Sequence, residues 1–276
     1  MSSRTVLRLR TPPALRLDAR ALLPAALAAL APAEIEALPL AQGRASVPLA
    51  EFFDVRREPL ADGGAPQLVL EGDTARLDHV GWGLAEGLLR VTGDVGDHAG
   101  GTMSGGRLHV DGRAGDLAGC AMSGGWLEIG GSCGDFAAAA LPGEMDGMRG
   151  GTLVVRGDAG ARLADRMRRG TVLLHGDAGD WLASRLVAGT VAVAGRCGAH
   201  PGYGMRRGSL VFAGPAPALP ATFVPVAAEA EVFWQLLARE LARHGGAFET
   251  LSARAVQRHV GDLAVQGQGE ILVPQA

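Results

Sequence analysis

Seven consecutive segments of the chain open on a glycine and carry one pattern, with starts at Gly87, Gly106, Gly125, Gly151, Gly170, Gly189 and Gly208. The starts lie 19, 19, 26, 19, 19 and 19 residues apart, and a degenerate turn begins earlier, at Pro66. In each segment the second and fourth residues after the glycine are apolar, from Leu89 and Val91 through Leu127 and Ile129 to Leu210 and Phe212. That two-residue period marks a short strand with one inward face. A glycine closes each strand, and in the first six segments another follows three residues later, as in Gly112 and Gly115. Fixed glycines of this kind fit sharp corners built on positive φ. Near the end of each of the first six segments stands Met103, Met122, Met148, Met167, Leu186 or Met205. One such residue per segment reads as an inward stack and not as a metal or redox box.

Coils of this length stack through parallel ladders about 4.8 Å apart, so about eight of them make a rod of roughly 40 Å. The sequence therefore predicts a mainly β fold, a right-handed parallel β-helix over residues 66–214. Residues 1–65 read as a small N-terminal α+β cap: Val6–Arg10 alternates as a strand, Asp18–Leu30 suggests a helix interrupted by Pro24, and Ala41–Arg56 reads as strand and turn. Residues 215–276 read as a proline-rich linker and a helical tail. Apolar residues at Val232, Phe233, Leu236, Leu237 and Leu241 predict an amphipathic helix over Glu229–Arg243, covering the last coil or docking on a partner.

Composition narrows the function classes. Glycine supplies 42 of 276 residues, yet 47% of the chain is hydrophobic and 20% charged, which is a packed protein and not a disordered one. Net charge is −3, which argues against a nucleic-acid partner. All 26 basic residues are arginine, as a GC-rich coding bias would produce. Cys120, Cys133 and Cys197 form no CxxC pair, which argues for a reducing, cytoplasmic setting and against an iron–sulfur cluster. The longest apolar stretch, Ala21–Ala33, is broken by Pro24 and Pro32, so no membrane span is expected.

Candidate chemistry is sparse. Of seven histidines only His98 and His200 share a place in the repeat, five coils apart, and no zinc-ligand spacing occurs. Asp97, Asp116, Asp135 and Asp180 stack at one repeat position, and Asp94, Asp158 and Asp177 at another. β-Helix polysaccharide hydrolases and lyases use carboxylates, but each of these aspartates sits beside a corner glycine, where a local turn hydrogen bond is the simpler use. No nucleophile elbow is present, and GDVGDHAGG is one copy of a corner, not a dinucleotide fingerprint. The departure from bland repetition is arginine. Arg149, Arg168 and Arg206 share one position, Arg169 and Arg207 the next, and Arg166 and Arg185 coincide two places before Arg168. Stacked like charges repel unless solvated or compensated. They form either a solvated face or a groove for a polyanion or an acidic partner.

The pattern GDxGDxxGxxMxGGxLxVxGxxGD, seen in Gly93–Asp116 and varied through Arg207, resembles the glycine-rich repeat domain at the C-terminus of glutamate synthase large subunits. The same domain makes up the C subunit of formylmethanofuran dehydrogenases. The resemblance to that C subunit extends to LAQGRASVPLAEFFDV (Leu40–Val55) and to the inserted GEMDGMRGG (Gly143–Gly151). It implies one of three settings: a formyltransferase/hydrolase complex of methylotrophic bacteria, a redox-active formylmethanofuran dehydrogenase, or a stand-alone scaffold for a glutamate-synthase-like amidotransferase. A lysine-free chain with its own cap suits the first.

In that setting the resemblance implies a non-catalytic chain that holds no cofactor alone. Its partners would be an amidohydrolase-like A subunit holding zinc, a B subunit, and a formyltransferase D subunit. The complex would release formate from formyl-tetrahydromethanopterin through a formylated furan cofactor, methanofuran or methylofuran. The glutamate-rich tail of such a cofactor gives Arg149, Arg166, Arg168, Arg169, Arg185, Arg206 and Arg207 a candidate ligand.

Overall fold

The computed structural model describes residues 3–60, 64–226 and 231–275. Eight strands succeed one another in sequence order within one sheet: Gln67–Glu71, Leu88–Val91, Ser104–Val110, Ser123–Ile129, Arg149–Val155, Arg169–Leu174, Thr190–Val193 and Ser209–Phe212. Every neighbouring pair among them is parallel. The chain thus returns to the same ladder once per repeat, and the two inward positions stay in register throughout. Leu68, Leu89, Leu108, Leu127, Leu153, Val172, Val191 and Leu210 form one such line, all fully buried. The methionines at 103, 122, 148, 167 and 205 and Leu186 are fully buried beside them, as an inward stack requires. A second row of single parallel bridges, Ala114–Cys133–Ala159–Ala178–Cys197, marks the next corner of each coil.

The glycines have two separate jobs. Those opening the strands do take positive φ, as at Gly189 (φ 108°). The corner pair after each strand does not, contrary to the sequence expectation. At Gly115 a Cβ would instead overlap the Asp97 carboxylate and the backbone of Gly96, so the requirement there is close approach between coils. Left-handed backbone in the corners is carried mostly by other residues, among them His98, Leu117, Ala138, Arg162 and Trp181.

Ser3–Leu9 pairs in parallel with Gln67–Glu71 and antiparallel with Phe53–Pro59, which ends the ladder at the N-terminal side. Pro24 starts a five-residue helix, Pro24–Ala28, where the sequence suggested that it interrupts one; proline suits a first helical turn because the amide it lacks is unpaired there anyway. At the other end, Gly269–Pro274 adds in parallel to Ser209–Phe212, followed by the antiparallel strands Val256–Gly261 and Val224–Val226. The tail therefore contributes strands that sequence patterning missed, and these pair on the last strand of the ladder, while the helix covers the outward face of the last coil together with those before it. The helix is described from Glu231 to Ala242, the earlier part of the expected segment, 229–230, lying outside the described residues. It packs sideways on the stack: Trp234, Ala238 and Leu241 meet Val154, Leu173, Ala192 and Val211.

Candidate functional site: an arginine-lined trough

At the end of each coil the residues after the inward methionine lead into the next strand. In three coils those residues are arginines, and the stacking of coils converts sequence periodicity into a surface. Arg149, Arg168, Arg169, Arg206 and Arg207 line one compartment of about 770 Å³, with Val187, Ala188 and the exposed Gln266 and Gln268 completing it. A second compartment of about 540 Å³ holds Arg166, Arg168, Arg185 and Arg206 beside Met145, Tyr203 and Val265. The two share Arg168, Val187, Arg206 and Val265, so they form one continuous trough. All seven arginines singled out from the sequence line it.

Their electrostatics divide them. Asp165, 4% exposed, accepts from Arg185 Nε and Nη2 (2.9–3.2 Å) and lies 3.8 Å from Arg166 Nε. Arg166 also donates to the Glu144 carbonyl (2.9 Å), and Arg168 Nη1 to Asp146 Oδ2 (2.9 Å). Among the described residues, Arg149, Arg169, Arg206 and Arg207 have no carboxylate within ion-pair distance and are exposed. The compensation was hard to see in sequence, because Asp165 sits on the arm of the same coil and Asp146 on the insertion that lengthens one repeat from 19 to 26 residues. The wall opposite comes from the tail, where Asp262, 4% exposed, fixes the loop. Burial pushes Asp262 upward, but the amides of Gly204 and Ala264 and the Thr222 hydroxyl hold its carboxyl below the usual range.

Other candidates are accounted for structurally. Asp78, Asp97 and Asp116 each accept the backbone amide of the residue one coil on (Asp97, Asp116 and Asp135) at 2.8–3.0 Å. Asp135 reaches Ala161, Asp180 reaches Ala199, and Asp94, Asp158 and Asp177 do the same along the parallel row. The expected local turn bonds are therefore bonds between coils. His98 stacks on His79 (4.7 Å) and His200 on Trp181 (4.4 Å), so the two share no site. Burial pushes all three thiols up to about 12, leaving them protonated at neutral pH. Among the described residues no cluster of three or more His, Cys, Asp or Glu is placed to hold a metal, and no helix is long and apolar enough to cross a membrane.

The chain is similar in fold and sequence to one chain of the crystal structure of the formyltransferase/hydrolase complex (FhcABCD) from Methylorubrum extorquens in complex with methylofuran. That match has 42% identity and a TM-score of 0.88, covering 98% of this chain and all of the other. In sequence alone it is 43% identical over 92 residues to the C subunit of the formyltransferase/hydrolase complex Fhc of the same organism, 33% of each chain. It is 38% identical over 64 residues to the C subunit of molybdenum-containing formylmethanofuran dehydrogenase 1 of Methanothermobacter thermautotrophicus, 23% of this chain and 15% of that one. These sequence alignments span a third or less of either curated relative. No family model matches the chain.

Proposed function

The chain belongs to the family of C subunits of formyltransferase/hydrolase complexes and formylmethanofuran dehydrogenases, and from that premise we propose that it is the structural, non-catalytic C subunit of a bacterial formyltransferase/hydrolase complex. The observation that carries this reading is the 42% identical match over 98% of the chain to a chain of such a complex. In the proposed assembly an amidohydrolase-like A subunit with its zinc, a B subunit, and a formyltransferase D subunit gather around this chain in the cytoplasm. Together they release formate from formyl-tetrahydromethanopterin through a formylated furan cofactor. We take the stack as a right-handed parallel β-helix, the hand that parallel crossovers adopt almost without exception, with 1–65 as its cap and 215–276 as its tail.

The chain's own contribution is rigidity and charge. Interlocked aspartates fix the coils, and the trough offers guanidinium forks to the carboxylates of the cofactor's tail, which suit them in pairs. A second reading, the C subunit of a redox-active dehydrogenase, is favoured by the similarity to the molybdenum enzyme's chain. Affinity purification of the tagged chain from its native host separates the two. Co-purification of amidohydrolase-like and formyltransferase chains with a furan cofactor is the expected result. A molybdenum or tungsten protein among the co-purifying chains would select the second reading, and a glutaminase-like or flavin partner would overturn both.

A further inference from the structure

One corner of the stack carries a row of large side chains. In successive coils the position is held by His79, His98, Leu117, Phe136, Arg162 and Trp181. Each of their backbone amides donates to a carbonyl of the neighbouring coil at 2.8–2.9 Å, as His98 does to Asp116 and Leu117 to Asp135. All six have left-handed backbone, with φ between 59° and 63°. Glycine would adopt that conformation at the least cost, yet none of the six is glycine. The corner therefore keeps bulky side chains where the backbone alone would favour none. Asp78, Asp97, Asp116 and Asp135 directly precede the first four, so a carboxylate row runs beside the ridge. Asp97, Asp116 and Asp135 use Oδ1 to hold an amide one coil on, which leaves Oδ2 for another partner.

The N-terminal cap shows what this corner accepts. Arg16 Nη1 spans Asp78 Oδ1 (2.5 Å) and Asp97 Oδ2 (3.3 Å). Arg20 donates to His79 Nε2 (2.8 Å), and its guanidinium lies 5.1 Å from the centre of the Trp82 ring. Arginines of the cap thus cover the first two coils, one across a pair of carboxylates and one against the rings. Two coils further on, Asp116 and Asp135 repeat the carboxylate pair, with Leu117 and Phe136 beside them. Both carboxylates are exposed, Phe136 is 38% exposed, and neither aspartate has an ion pair among the described residues. Arg162 already lies 5.8 Å from the Phe136 ring and 5.4 Å from that of Trp181, so this part of the row takes guanidinium groups as well.

We infer that Asp116, Leu117, Asp135 and Phe136 form a docking surface for an arginine-bearing segment of a partner chain of the assembly. One arginine of that segment bridges Asp116 and Asp135 as Arg16 bridges Asp78 and Asp97, and the residues around it pack on Leu117 and Phe136. Carboxylates one coil apart match the fork of a guanidinium better than the point charge of an ammonium. The docked segment continues along the stack the line of arginines that the cap begins. The surface shares no residue with the lining of the trough, and the inference holds for either assembly considered above.

The test uses the tagged full chain in the assembly with which it purifies. Phe136→p-benzoylphenylalanine, irradiated in the intact assembly, should cross-link to one peptide of a partner chain, with an arginine within about three residues of the attachment. Asp116→Asn combined with Asp135→Asn keeps each Oδ1 as the acceptor of its inter-coil amide and removes the charge. It should speed dissociation of the cross-linked partner about five-fold or more at roughly 50 mM NaCl, a difference that shrinks at roughly 500 mM. Gln at the arginine so identified should give the same loss, and the combined change should add nothing further. Absence of an intermolecular cross-link overturns the docking surface, as does a cross-link to a second copy of this chain or to a peptide without arginine. Unchanged dissociation in the Asn variant, or losses that add, overturn it as well. Each of these results leaves the subunit reading in place, because that reading is decided by which chains co-purify.

Discussion

The coils of residues 87–129 and those of residues 151–212 have the same inward face and opposite outward faces. The third residue after each opening glycine points away from the interior. It is Arg90, His109 and Glu128 in the first group, and Val154, Leu173, Ala192 and Val211 in the second. The first set is tied into a surface network: Arg90 and His109 meet Asp111 (3.1 and 2.8 Å), and Glu128 accepts from Arg156 (2.8 Å). The second set is fully buried under Trp234, Ala238, Leu241, Phe248 and Leu251. One repeat therefore supports two surfaces, because the inward positions alone satisfy the requirements of stacking. The outward position is left free to specify what covers each coil, solvent in one half and the chain's own tail in the other.

The contrast is sharpest at equivalent sites. Leu173→Asp puts a charge under the helix with no partner and should cost about 4 kcal/mol in urea unfolding. Glu128→Gln, at the same register place two coils earlier, should cost less than about 1 kcal/mol, since partly exposed ion pairs contribute little. Equal costs would remove the distinction between the faces. Next in size, Trp234→Ala deletes the largest buried side chain of the helix, worth about 3 kcal/mol at a well-packed site. Its effect should be regional. Amide exchange should quicken along Arg169–Leu174 and Thr190–Val193 while Leu88–Val91 keeps its protection.

How much of this was legible in the sequence follows from periodicity. Inward leucines, valines and methionines recur every coil, so the eight stacked strands, their parallel order and the arginine alignment could all be read from spacing. What failed were features set by single contacts across the chain. The tail strands Val256–Gly261 and Gly269–Pro274 have no repeat to announce them. The place of the helix depended on Val154, Leu173, Ala192 and Val211, apolar residues whose common outward register carries a clear pattern that inward-face reasoning passed over. The trough's seven arginines were found by spacing, but Asp165 and Asp146, which divide them into held and free, lie outside that register. The corner glycines were recognised for their position and misread for their cause, since sequence shows where a glycine is required and not what would collide with a side chain there.

A third expectation limits the contrast to the outer face. Asp116→Ala removes the acceptor of the Asp135 amide in the solvated half, and Asp177→Ala that of the Arg196 amide in the covered half. Each should cost about 1 kcal/mol, the net worth of one such hydrogen bond. A cost several times larger in one half would mean that the stacking itself, and not only its cover, differs along the rod.

The smallest effect lies at the seam, where the two faces meet. His244 stacks on Trp126 (5.7 Å), His175 meets Phe248 edge-on (5.0 Å), and Arg156 bridges His175 Nε2 (2.9 Å) and the His244 carbonyl (3.2 Å). Burial, with Arg156 beside them, holds both histidines below the ordinary value of 6.5, although Glu128 works the other way on both and Glu240 on His244. A histidine depressed in the folded state binds fewer protons there than when released, so its contribution is complete above pH 6.5 and fades as pH falls below it. Glu128, whose carboxyl is held below 4.5 chiefly by Arg156 against the opposing effect of burial, keeps its contribution until lower pH. Between about pH 7.5 and 5.5 the helix Glu231–Ala242 should therefore loosen. Its amide exchange, corrected for the intrinsic pH dependence, should rise a few-fold, while Leu88–Val91 stays unchanged. His175→Gln combined with His244→Gln should flatten that response. A rise of equal size in both regions would place the titration in the stack and not at the seam.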